Sequence, residues 1–399
     1  MKDAPPLYLN AREAATELQV SPATLYAYVS RGLVRSEPVE NSRARRYRAD
    51  DIRALKNRRA PMPEARGLRA ADAALPLLDS AVSTLTEEGP LYRGVSATKL
   101  AETASLEQAA TLLWDVQSGD PFAKTNLPLM PAPVLAEAAP ISRAIAVLAF
   151  ATDADPRAFN RAPEGRAQTG ARLMRLLTAA ILSAAPSAAP IHRQIAQSWA
   201  PERKIAEDLI RRALVLLADH ELNASTLATR VAASTGVSLY DAVIAGLAAL
   251  KGPRHGGAGA RAAQMVAAMT GRDVAGFVRE KLANGEVMPG FGHSVYVKRD
   301  PRADALLEAL RRAGADKRLT GEAPQHIAEA TGLAPNIDYA IAVMMQTLGL
   351  APGHELALFA MARAAGWVAH AIEQLESGQL IRPRARYVGP APGRGGQGA

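Results

Sequence analysis

Two glycine-rich stretches organise this sequence: GPRHGGAG at residues 252–259 and PGFGHSVYVKRDPRAD at residues 289–304. Each places a histidine, His255 or His293, beside glycines, which permit tight turns and the close approach of a ligand to the backbone. An imidazole at such a turn can face a cleft and titrate or donate a hydrogen bond near neutral pH. The simpler alternative is two surface loops that happen to contain histidine, and the rest of the chain decides between the two interpretations.

The composition indicates a helical protein with more than one domain. The chain has 399 residues, 48% apolar and 22% charged, which is ordinary for a globular protein large enough for two or three cores. Aromatic residues make up only 5% and alanine is abundant, which favours helices packed closely on helices. The absence of cysteine excludes disulfides, thiolate nucleophiles and cysteine metal sites. The N-terminal residues, MKDAPPLYLN, do not resemble a signal peptide, so we expect a cytoplasmic protein.

The positive charge is concentrated at the N-terminus. Residues 1–60 carry 12 Lys and Arg against 7 Asp and Glu, which accounts for five of the eight net positive charges. In this region Asn10 and Glu13 predict a capping box for a helix over residues 11–18 with Ala14, Ala15 and Leu18 on its apolar face. The asymmetry of charge points to an anionic partner for this part of the chain.

A second short helix follows the first after a tight turn. Ser21 is its predicted cap, Pro22 stands at its first position, and Gly32 ends it after residues 23–31. A basic segment with Tyr47 comes next, and Asp50 is predicted to cap a third helix.

This stretch, LNAREAATELQVSPATLYAYVSRGLV followed by RRYRADDIRAL, resembles the helix-turn-helix domain of the MerR and excisionase type. The resemblance implies that the second helix enters the major groove and that the basic wing meets phosphate. The predicted DNA contacts are Thr24, Tyr26, Arg31, Arg43, Arg45, Arg46 and Tyr47. The alternative is a basic, solvated helical hairpin that docks on the main domain.

Residues 57–67, NRRAPMPEARG, are charged, contain two prolines and have no periodicity, as is typical of a linker. Beyond them the chain is predicted to be helical almost throughout, with a turn or hairpin at 89–94 and an irregular, proline-rich region at 118–165. Helices are predicted at 168–185, 203–220, 223–235, 239–251, 259–269, 273–283, 302–313, 322–332, 338–348 and 354–376. The last residues, GPAPGRGGQGA, are rich in glycine and proline and predict a flexible tail.

Further candidate residues lie outside the two glycine-rich stretches. DHELNAST contains His220 and Asn223, three residues apart and hence on one face if this segment is helical. PNID places Asp338 at the start of a helix, ARAAGW contains Arg363, and IRPR contains Arg382. The sequence has no HExxH, GxSxG or Walker A motif and no GxGxxG after a strand, so hydrolase, phosphotransferase and dinucleotide-binding interpretations lack support.

Taken in order, these motifs resemble the citrate synthase family over roughly residues 76–389. LDSAVSTL, LYRG, LLADHELNAST, GPRHGGAG, PGFGHSVYVKRDPRAD, PNIDYAI, ARAAGWVAHAIEQ and LIRPRARYVG all occur in the order of that family. The resemblance implies an all-α, two-domain fold that closes over its substrates, here preceded by a small winged helix-turn-helix domain. It predicts a helix-turn-helix domain at 1–60, a linker at 61–70, a synthase-like domain at 71–388 with its small domain at about 257–362, and a tail at 389–399.

The resemblance also implies a reaction. Members condense acetyl-CoA with oxaloacetate to citrate and CoA, so the chain would be an acyltransferase of the citrate (Si)-synthase type, with acetyl-CoA as co-substrate and no metal or redox cofactor. Its acid–base residues would be His255, His293 and Asp338. Its substrate-binding residues would be His220, Asn223, Arg302, Arg363 and Arg382, the last reaching the neighbouring subunit of a homodimer.

These residue types suit the chemistry. A thioester methyl is a weak carbon acid, so a carboxylate with a raised pKa, Asp338, must remove its proton while a neutral His255 stabilises the enol oxygen. His293 would polarise the keto group of oxaloacetate. The substrate carboxylates require arginine, which binds them bidentately and stays charged. Domain closure would exclude water and protect the thioester.

Each residue also has a simpler interpretation. Asp338 could serve only as a negative residue at a helix N-terminus, His220 as a core histidine, and Arg363 as an interface residue. Two positions depart from the family pattern: Arg254, where leucine is usual, and Gly259–Ala260, where Asn–Glu is common. Arg254 would add charge beside His255, bind an anion such as a CoA phosphate, or disfavour protonation of that imidazole.

Three hypotheses of function remain open. The first is an active synthase with an appended DNA-binding module, making citrate or, with propionyl-CoA, 2-methylcitrate. The second is a transcription regulator that senses an acyl-CoA or keto acid through a synthase-like domain. The third is a synthase whose N-terminal module only docks on the dimer. A single methyl group changes pocket affinity too little for the sequence to separate the two acyl-CoA substrates.

Overall fold

The computed structural model of the protein describes residues 8–18, 25, 29, 34–38, 45–52, 78–131, 137–296, 298–385, 387 and 389. The chain divides into two compact units, Met1–Pro76 and Leu77–Ala399. Each of the two units has a hydrophobic core of its own.

The N-terminal unit combines helix with a small antiparallel sheet. Its elements are β1 (Tyr8–Asn10), α1 (Ala11–Leu18), β2 (Ser36–Pro38) and β3 (Arg45–Arg48). The strand order is β1–β3–β2, with β3 in the middle. Leu25 and Val29 are helical, as the second predicted helix requires, and residues 49–52 begin a further helix. This arrangement agrees with the predicted winged helix-turn-helix.

The predicted capping box of α1 is confirmed. The Asn10 side chain accepts hydrogen bonds from the amides of Arg12 and Glu13 at 2.9 Å each. The Glu13 carboxylate in turn accepts from the Asn10 amide at 2.8 Å. The predicted apolar face is buried, and it consists of Ala14, Ala15 and Leu18.

Two predictions in this unit are wrong. Tyr47 is only 1% exposed and belongs to the core, so its ring is not a DNA contact. Alternate residues of a strand face opposite sides, so Arg46 beside it faces solvent. Helical residues begin at position 49, so Asp50 lies within the first turn of the third helix instead of capping it.

The other predicted DNA contacts divide into two groups. Arg45 and Arg46 are exposed on β3. Arg45 donates to Ser36 at 2.9 Å, and Arg46 forms an ion pair with Glu37 at 2.9 Å. The remaining predicted contacts lie outside the described residues, and they are Thr24, Tyr26, Arg31 and Arg43.

The second unit begins with an antiparallel sheet of three short strands and is otherwise helical. The sheet contains β4 (Ser83–Thr86), β5 (Gly89–Tyr92) and β6 (Val95–Ser96) in that order, which forms around the turn predicted at 89–94. The helices are α2 (Ala97–Thr103), α3 (Leu106–Leu113), α4 (Pro140–Ala154), α5 (Pro163–Leu182), α6 (Ile191–Trp199), α7 (Ala206–Leu217), α8 (Ala224–Ser234), α9 (Leu239–Leu250), α10 (Gly257–Met269), α11 (Val274–Ala283), α12 (Pro301–Arg312), α13 (Ala323–Thr331), α14 (Ile337–Leu348) and α15 (His354–Ser377).

Every helix predicted between residues 168 and 376 is present. Most bounds agree within two residues, and the largest differences are at both ends of α5 and of α7. Helix α5 begins five residues earlier than predicted because Pro163 supplies a favourable first position. Helix α7 ends at Leu217, three residues before the predicted end.

Helix α15 is the centre of the core. It is buried on nearly all sides and packs against α7, α8, α9 and α14, as expected for a helix that is apolar around its circumference. Trp114 and Trp367 belong to this core and are 5% and 0% exposed. Among the described residues, every helix is too short or too polar to cross a lipid bilayer.

Candidate active site

A cleft of about 550 Å³ in the second unit brings together most of the predicted site residues. The cleft has two sides of different chemical character. The arginine side contains His220, His293, Arg302 and Arg363. The carboxyl side contains Arg254, His255, Gly259 and Asp338. Asn223 also lines the cleft, whereas Arg382 is exposed and lies outside it.

The condition for a shared helix face of His220 and Asn223 is not met, because the segment that holds them is not helical. Helix α7 ends at Leu217, and residues 218–223 form the connection to α8. Glu221 has the left-handed backbone conformation (φ 55°), which turns the chain between the two residues. Asn223 is instead the N-cap of α8, and its Oδ1 accepts the amides of Ser225 and Thr226 at 3.1 Å each.

His255 lies in a turn immediately before α10 and is half-buried. Its Nε2 is 2.7 Å from the hydroxyl of Ser225. That hydroxyl also accepts from Trp367 Nε1 at 3.2 Å and donates to Asn223 Oδ1 at 2.8 Å. A hydroxyl has one proton, so the neutral imidazole carries its own proton on Nδ1, available to a ligand, when Ser225 donates to Nε2 in place of Asn223 Oδ1.

The backbone fixes the tautomer of His293. Its Nδ1 accepts the amides of Val295 at 3.0 Å and Tyr296 at 3.2 Å. A ring nitrogen that accepts two N–H groups carries no proton, so in the neutral ring the proton is on Nε2. That atom lies 3.5 Å from Nη2 of Arg302. His293 therefore presents an N–H donor beside a guanidinium.

Arg302 is held by a carboxylate at the start of its own helix. Asp300 is the N-cap of α12, accepting the Arg302 amide at 3.1 Å. Its two oxygens also accept from Nε and Nη2 of Arg302 at 2.9 and 2.8 Å, a bidentate pair in which both side chains are almost fully buried. Burial lowers the pKa of Arg302, but Asp300 raises it by more, so the guanidinium stays charged.

Arg363 projects from α15 and is 1% exposed. Within the described residues its guanidinium makes one hydrogen bond, from Nε to the carbonyl of Leu217 at 2.9 Å. Its charged group stacks over the ring of Phe359 at 4.6 Å. Burial lowers the pKa of Arg363. A buried cation with its terminal nitrogens unpaired is suited to an anionic ligand.

Asp338 occupies the first turn of α14, as predicted, and Asn336 caps the helix. Asn336 Oδ1 accepts the amides of Asp338 at 3.0 Å and Tyr339 at 3.4 Å. Burial raises the pKa of the Asp338 carboxyl, and Asp300 raises it further, against the opposing charges of Arg302 and Arg261. A carboxylate with a raised pKa is a stronger base than one in water.

The turn that contains Gly290 and Gly292, just before His293, is hydrogen-bonded to the start of α14. Asn336 donates through Nδ2 to the carbonyl of Gly292 at 2.8 Å, and its amide donates to Gly290 at 2.8 Å. Both glycines have left-handed backbones (φ 85° and 78°), and a Cβ at Gly290 would lie 2.9 Å from the Tyr339 Cβ. Only glycine fits at position 290. Asn336 thus connects the turn before His293 to the start of the helix that carries Asp338.

The imidazoles of the cleft are kept neutral. Burial lowers the pKa of His220 strongly, and the charges of Arg302, Arg363 and His293 lower it further. Burial and Arg302 lower the pKa of His293, and burial and Arg363 lower that of His255. At pH 7 these rings therefore act as neutral hydrogen-bonding groups between permanent cations.

The sequence prediction missed three residues that position site residues. Ser225 contacts His255, Asp300 holds Arg302, and the amide of Tyr296 binds His293 while its ring lies 5.6 Å from that of His220. Asp300 alone had a readable signal, since aspartate before proline is typical of a helix N-cap followed by its first residue.

Both departures from the family pattern are in the cleft. Arg254 is exposed and lines the carboxyl side, while the guanidinium that lowers the pKa of His255 is that of Arg363. Gly259 lies where α10 meets the start of α15: a Cβ there would be 3.2 Å from the Cβ of Glu355 and 3.8 Å from Asp338 Oδ1. Its lack of a side chain allows the close approach of these helices.

Across the part of the chain that the structure describes, no three His, Asp or Glu side chains are grouped so as to hold a metal ion. The site is thus a cleft with neutral imidazoles, one carboxyl of raised pKa and two buried guanidinium groups. This set is suited to an uncharged carbon acid on one side and a small anion on the other.

Comparison with known families places the chain in a class. The family described as "Citrate synthase, C-terminal domain" matches residues 67–384. The family described as "MerR HTH family regulatory protein" matches residues 9–62. The chain belongs to the citrate synthase family, with a MerR-type helix-turn-helix segment at its N-terminus.

Individual relatives are consistent with this assignment. The chain is 42% identical over 185 residues to citrate synthase of Haloferax volcanii, covering 44% of this chain and 49% of that protein. It is 40% identical over 195 residues to the citrate/2-methylcitrate synthase of Bacillus subtilis, covering 47% and 52%. The chain thus spans about half the length of these curated relatives.

A solved structure extends the similarity over more of the chain. It is the ternary complex of citrate synthase from Thermoplasma acidophilum with carboxymethyl coenzyme A and oxaloacetate. The TM-score is 0.63 at 25% sequence identity, and the match covers 80% of this chain and 95% of that chain. The helical fold of the second unit is therefore that of citrate synthases.

Proposed function

We propose that the protein condenses acetyl-CoA with oxaloacetate and water to give citrate and CoA. The observation that carries the proposal is the composition of the cleft: a carboxyl of raised pKa faces neutral imidazoles and two buried arginines. Carbon acids need such a base beside a hydrogen-bond donor, and a dicarboxylate needs such cations. The complex of the archaeal relative with oxaloacetate and a CoA analogue supports the same choice of substrates.

The carboxyl side would activate the thioester. Asp338 takes a proton from the methyl group of acetyl-CoA, and Nδ1–H of His255 donates to the thioester oxygen as the enol forms. Nε2 of the same ring lies 2.7 Å from the Ser225 hydroxyl, and this tautomer requires that hydroxyl to donate to the ring in place of Asn223 Oδ1. The pKa of His255 is lowered by burial, so the ring donates as a neutral imidazole, matched to a weakly basic enol oxygen.

The arginine side would bind and polarise oxaloacetate. The Nε2–H of His293 donates to its keto oxygen, and the enol carbon attacks the keto carbon to form the new carbon–carbon bond. Arg302, Arg363 and His220 bind the carboxylates, and Asn223 lies on the same rim of the cleft. Water then cleaves the thioester of the condensed product, releasing CoA and citrate. No metal or redox cofactor is part of this proposal.

A homodimer would complete the site. Arg382 is exposed and lies outside the cleft of its own chain, so we propose that it reaches the cleft of the neighbouring subunit. Closure of a small domain at about 257–362 would then exclude water from the thioester.

Citrate formation is tested by incubating the full-length protein with acetyl-CoA and oxaloacetate. Released thiol is measured continuously, and the organic product is identified by mass spectrometry. Oxaloacetate-dependent thiol release with citrate as product is expected. Absence of thiol release by folded, dimeric protein would contradict the proposal. Replacing acetyl-CoA with propionyl-CoA in the same assay tests the 2-methylcitrate alternative, which one of the relatives supports by name.

The match to MerR-type regulators favours a second candidate function, binding of DNA by the N-terminal unit. Arg45 and Arg46 are exposed on the central strand of its sheet, where they can reach phosphate. As a regulator, the chain would bind a specific palindromic site as a dimer, and acyl-CoA or oxaloacetate would change its affinity. Fluorescence anisotropy with labelled DNA at several salt concentrations, with and without these ligands, measures both effects. Salt-independent or absent binding would instead favour a module that only docks on the synthase.

A further inference from the structure

A buried polar cluster beneath the arginine side takes no part in the proposed chemistry. It consists of Asp219, which directly precedes His220, and His370 on α15. Both side chains are 0% exposed. Burying a carboxylate is costly unless it is compensated, so a role for the pair must be sought in what it holds in place.

The segment before His220 is fastened to α15 at three successive points. The Leu217 carbonyl accepts from Nε of Arg363 at 2.9 Å. The Ala218 carbonyl accepts from the amide of Gly366 at 3.1 Å. The Asp219 carboxylate accepts from Nε2 of His370 at 3.3 Å. Positions 363, 366 and 370 lie on one face of the helix, and they meet residues 217, 218 and 219 in order.

Asp219 is the most strongly fixed of these points. Its Oδ2 also accepts from the hydroxyl of Ser83 and, at 3.2 Å, from the amide of Glu221. Its Oδ1 lies against Gly366, where a Cβ would be only 2.2 Å away. Burial raises the pKa of Asp219, but the charge and hydrogen bond of His370 and the charge of Arg363 lower it by more, so it remains a carboxylate.

Two of the proposed substrate-binding residues belong to the two segments that these hydrogen bonds join. Arg363 belongs to α15, and His220 follows Asp219 directly in the other segment. The hydrogen bonds at positions 217–219 therefore determine where the His220 ring stands relative to the Arg363 guanidinium. Loss of the bond from His370 would remove one of the hydrogen bonds that fix Asp219, leaving those of Ser83 and the Glu221 amide, and would loosen the end of the segment that carries His220.

We propose that Asp219 and His370 are positioning residues for oxaloacetate, holding His220 in register with Arg363. The proposal rests on the proposed function, because it assigns the substrate that the two residues bind. His370 does not line the cleft; it binds Asp219 and lies 3.9 Å from Glu373, which is also outside the cleft, so its link to His220 runs through Asp219. The effect of disrupting the pair is therefore specific to the arginine side, while the carboxyl side keeps its geometry.

The test compares His370→Met, which removes the donor, with His370→Gln, whose amide N–H₂ can replace Nε2–H. For His370→Met we expect the KM for oxaloacetate to rise about tenfold, the worth of one hydrogen bond to a charged group, with the KM for acetyl-CoA within about twofold. His370→Gln should restore the KM for oxaloacetate. The matched control is His192→Met, which replaces another buried histidine (6% exposed) outside the cleft.

Direct binding of oxaloacetate by calorimetry separates this proposal from the proposed function. If the wild-type protein binds no oxaloacetate, the proposed function fails. If it does bind, equal affinities of wild-type and His370→Met protein overturn the positioning role. Equal losses in His370→Met and His192→Met, or in both KM values, also overturn it, since they indicate general destabilisation. Should His370→Met not fold, Ser83→Ala removes another hydrogen bond to Asp219 and should weaken oxaloacetate binding in the same direction.

Discussion

The two sides of the cleft are built differently. On the arginine side each charged group is tied to a neighbour: Arg302 to Asp300 by a bidentate pair and Arg363 to Leu217 by one hydrogen bond. On the carboxyl side, within the described residues, the Asp338 carboxylate accepts no hydrogen bond, and burial alone accounts for most of its raised pKa. Permanent charges that bind a substrate can be fixed in advance, whereas a base must stay free to exchange its proton.

The largest effect is expected on the carboxyl side. Asp338→Asn removes the proposed base while keeping its shape, so kcat should fall by about a thousandfold. Thiol release at saturating substrate measures this, and circular dichroism verifies the fold. Asp304→Asn is the matched control, because burial also raises the pKa of Asp304 but this residue lies outside the cleft. Activity of Asp338→Asn near that of the control would remove Asp338 as the base.

The next effect concerns the packing behind the arginine side. Gly366→Ala would place a Cβ 2.2 Å from Asp219 Oδ1 and 2.6 Å from the Ala218 carbonyl. Overpacking against backbone should lower the free energy of unfolding by about 1–3 kcal/mol. Urea unfolding measures this change. Gly321→Ala is the control, because nothing lies within 4 Å of a Cβ there. Equal stability of the two variants would contradict the close fit at Gly366.

The arginine side should also make stability depend on pH. The pKa of His220 is lowered in the folded protein, so below its usual value of 6.5 the unfolded chain binds the proton first. The free energy of unfolding should therefore decrease as pH falls from 7.5 to 5.5, by up to ~1.4 kcal/mol per pH unit for this group. His220→Gln should reduce this dependence in urea unfolding. An unchanged slope in His220→Gln would contradict burial of a neutral His220.

The smallest effect is expected for Arg254 on the carboxyl side. Arg254 is exposed, so its interaction with an anionic ligand is screened by solvent. Arg254→Leu should raise the KM for acetyl-CoA by about twofold to threefold and leave the KM for oxaloacetate unchanged. Steady-state kinetics at low and high salt measure this, with a smaller difference at high salt. A change in the KM for oxaloacetate alone would contradict the assignment of Arg254 to the carboxyl side of the cleft.

Local chemistry made much of this fold predictable. Asn10 with Glu13, and Pro335–Asn336 before Asp338, are short-range signals, and the structure contains the corresponding caps. The helices after residue 168 follow from apolar periodicity and from glycines at their ends. The predicted helix over 203–220 ends three residues early, at Leu217. Asn223 is the N-cap of the next helix, and Glu221 turns the chain before it with a left-handed conformation.

The supporting residues of the site were less predictable. Asp219 meets His370 across 151 positions of sequence, and Ser225 meets His255 across 30. Such contacts arise from the packing of α15 against the α7–α8 connection, which no local pattern encodes. Tyr47 was assigned to the basic surface for a different, local reason: strand alternation buries it between two exposed or partly exposed arginines.

The side chain of Asn336 has a mechanical consequence. It bonds to the Gly292 carbonyl on one side and to the amides at the start of α14 on the other, and Asp300 bonds to the amide of Ile337. These hydrogen bonds thus join the segments that carry the proposed base, the polarising His293 and the guanidinium of Arg302. A displacement of α14 therefore moves all three groups together, and the distances between them do not change separately from the position of α14.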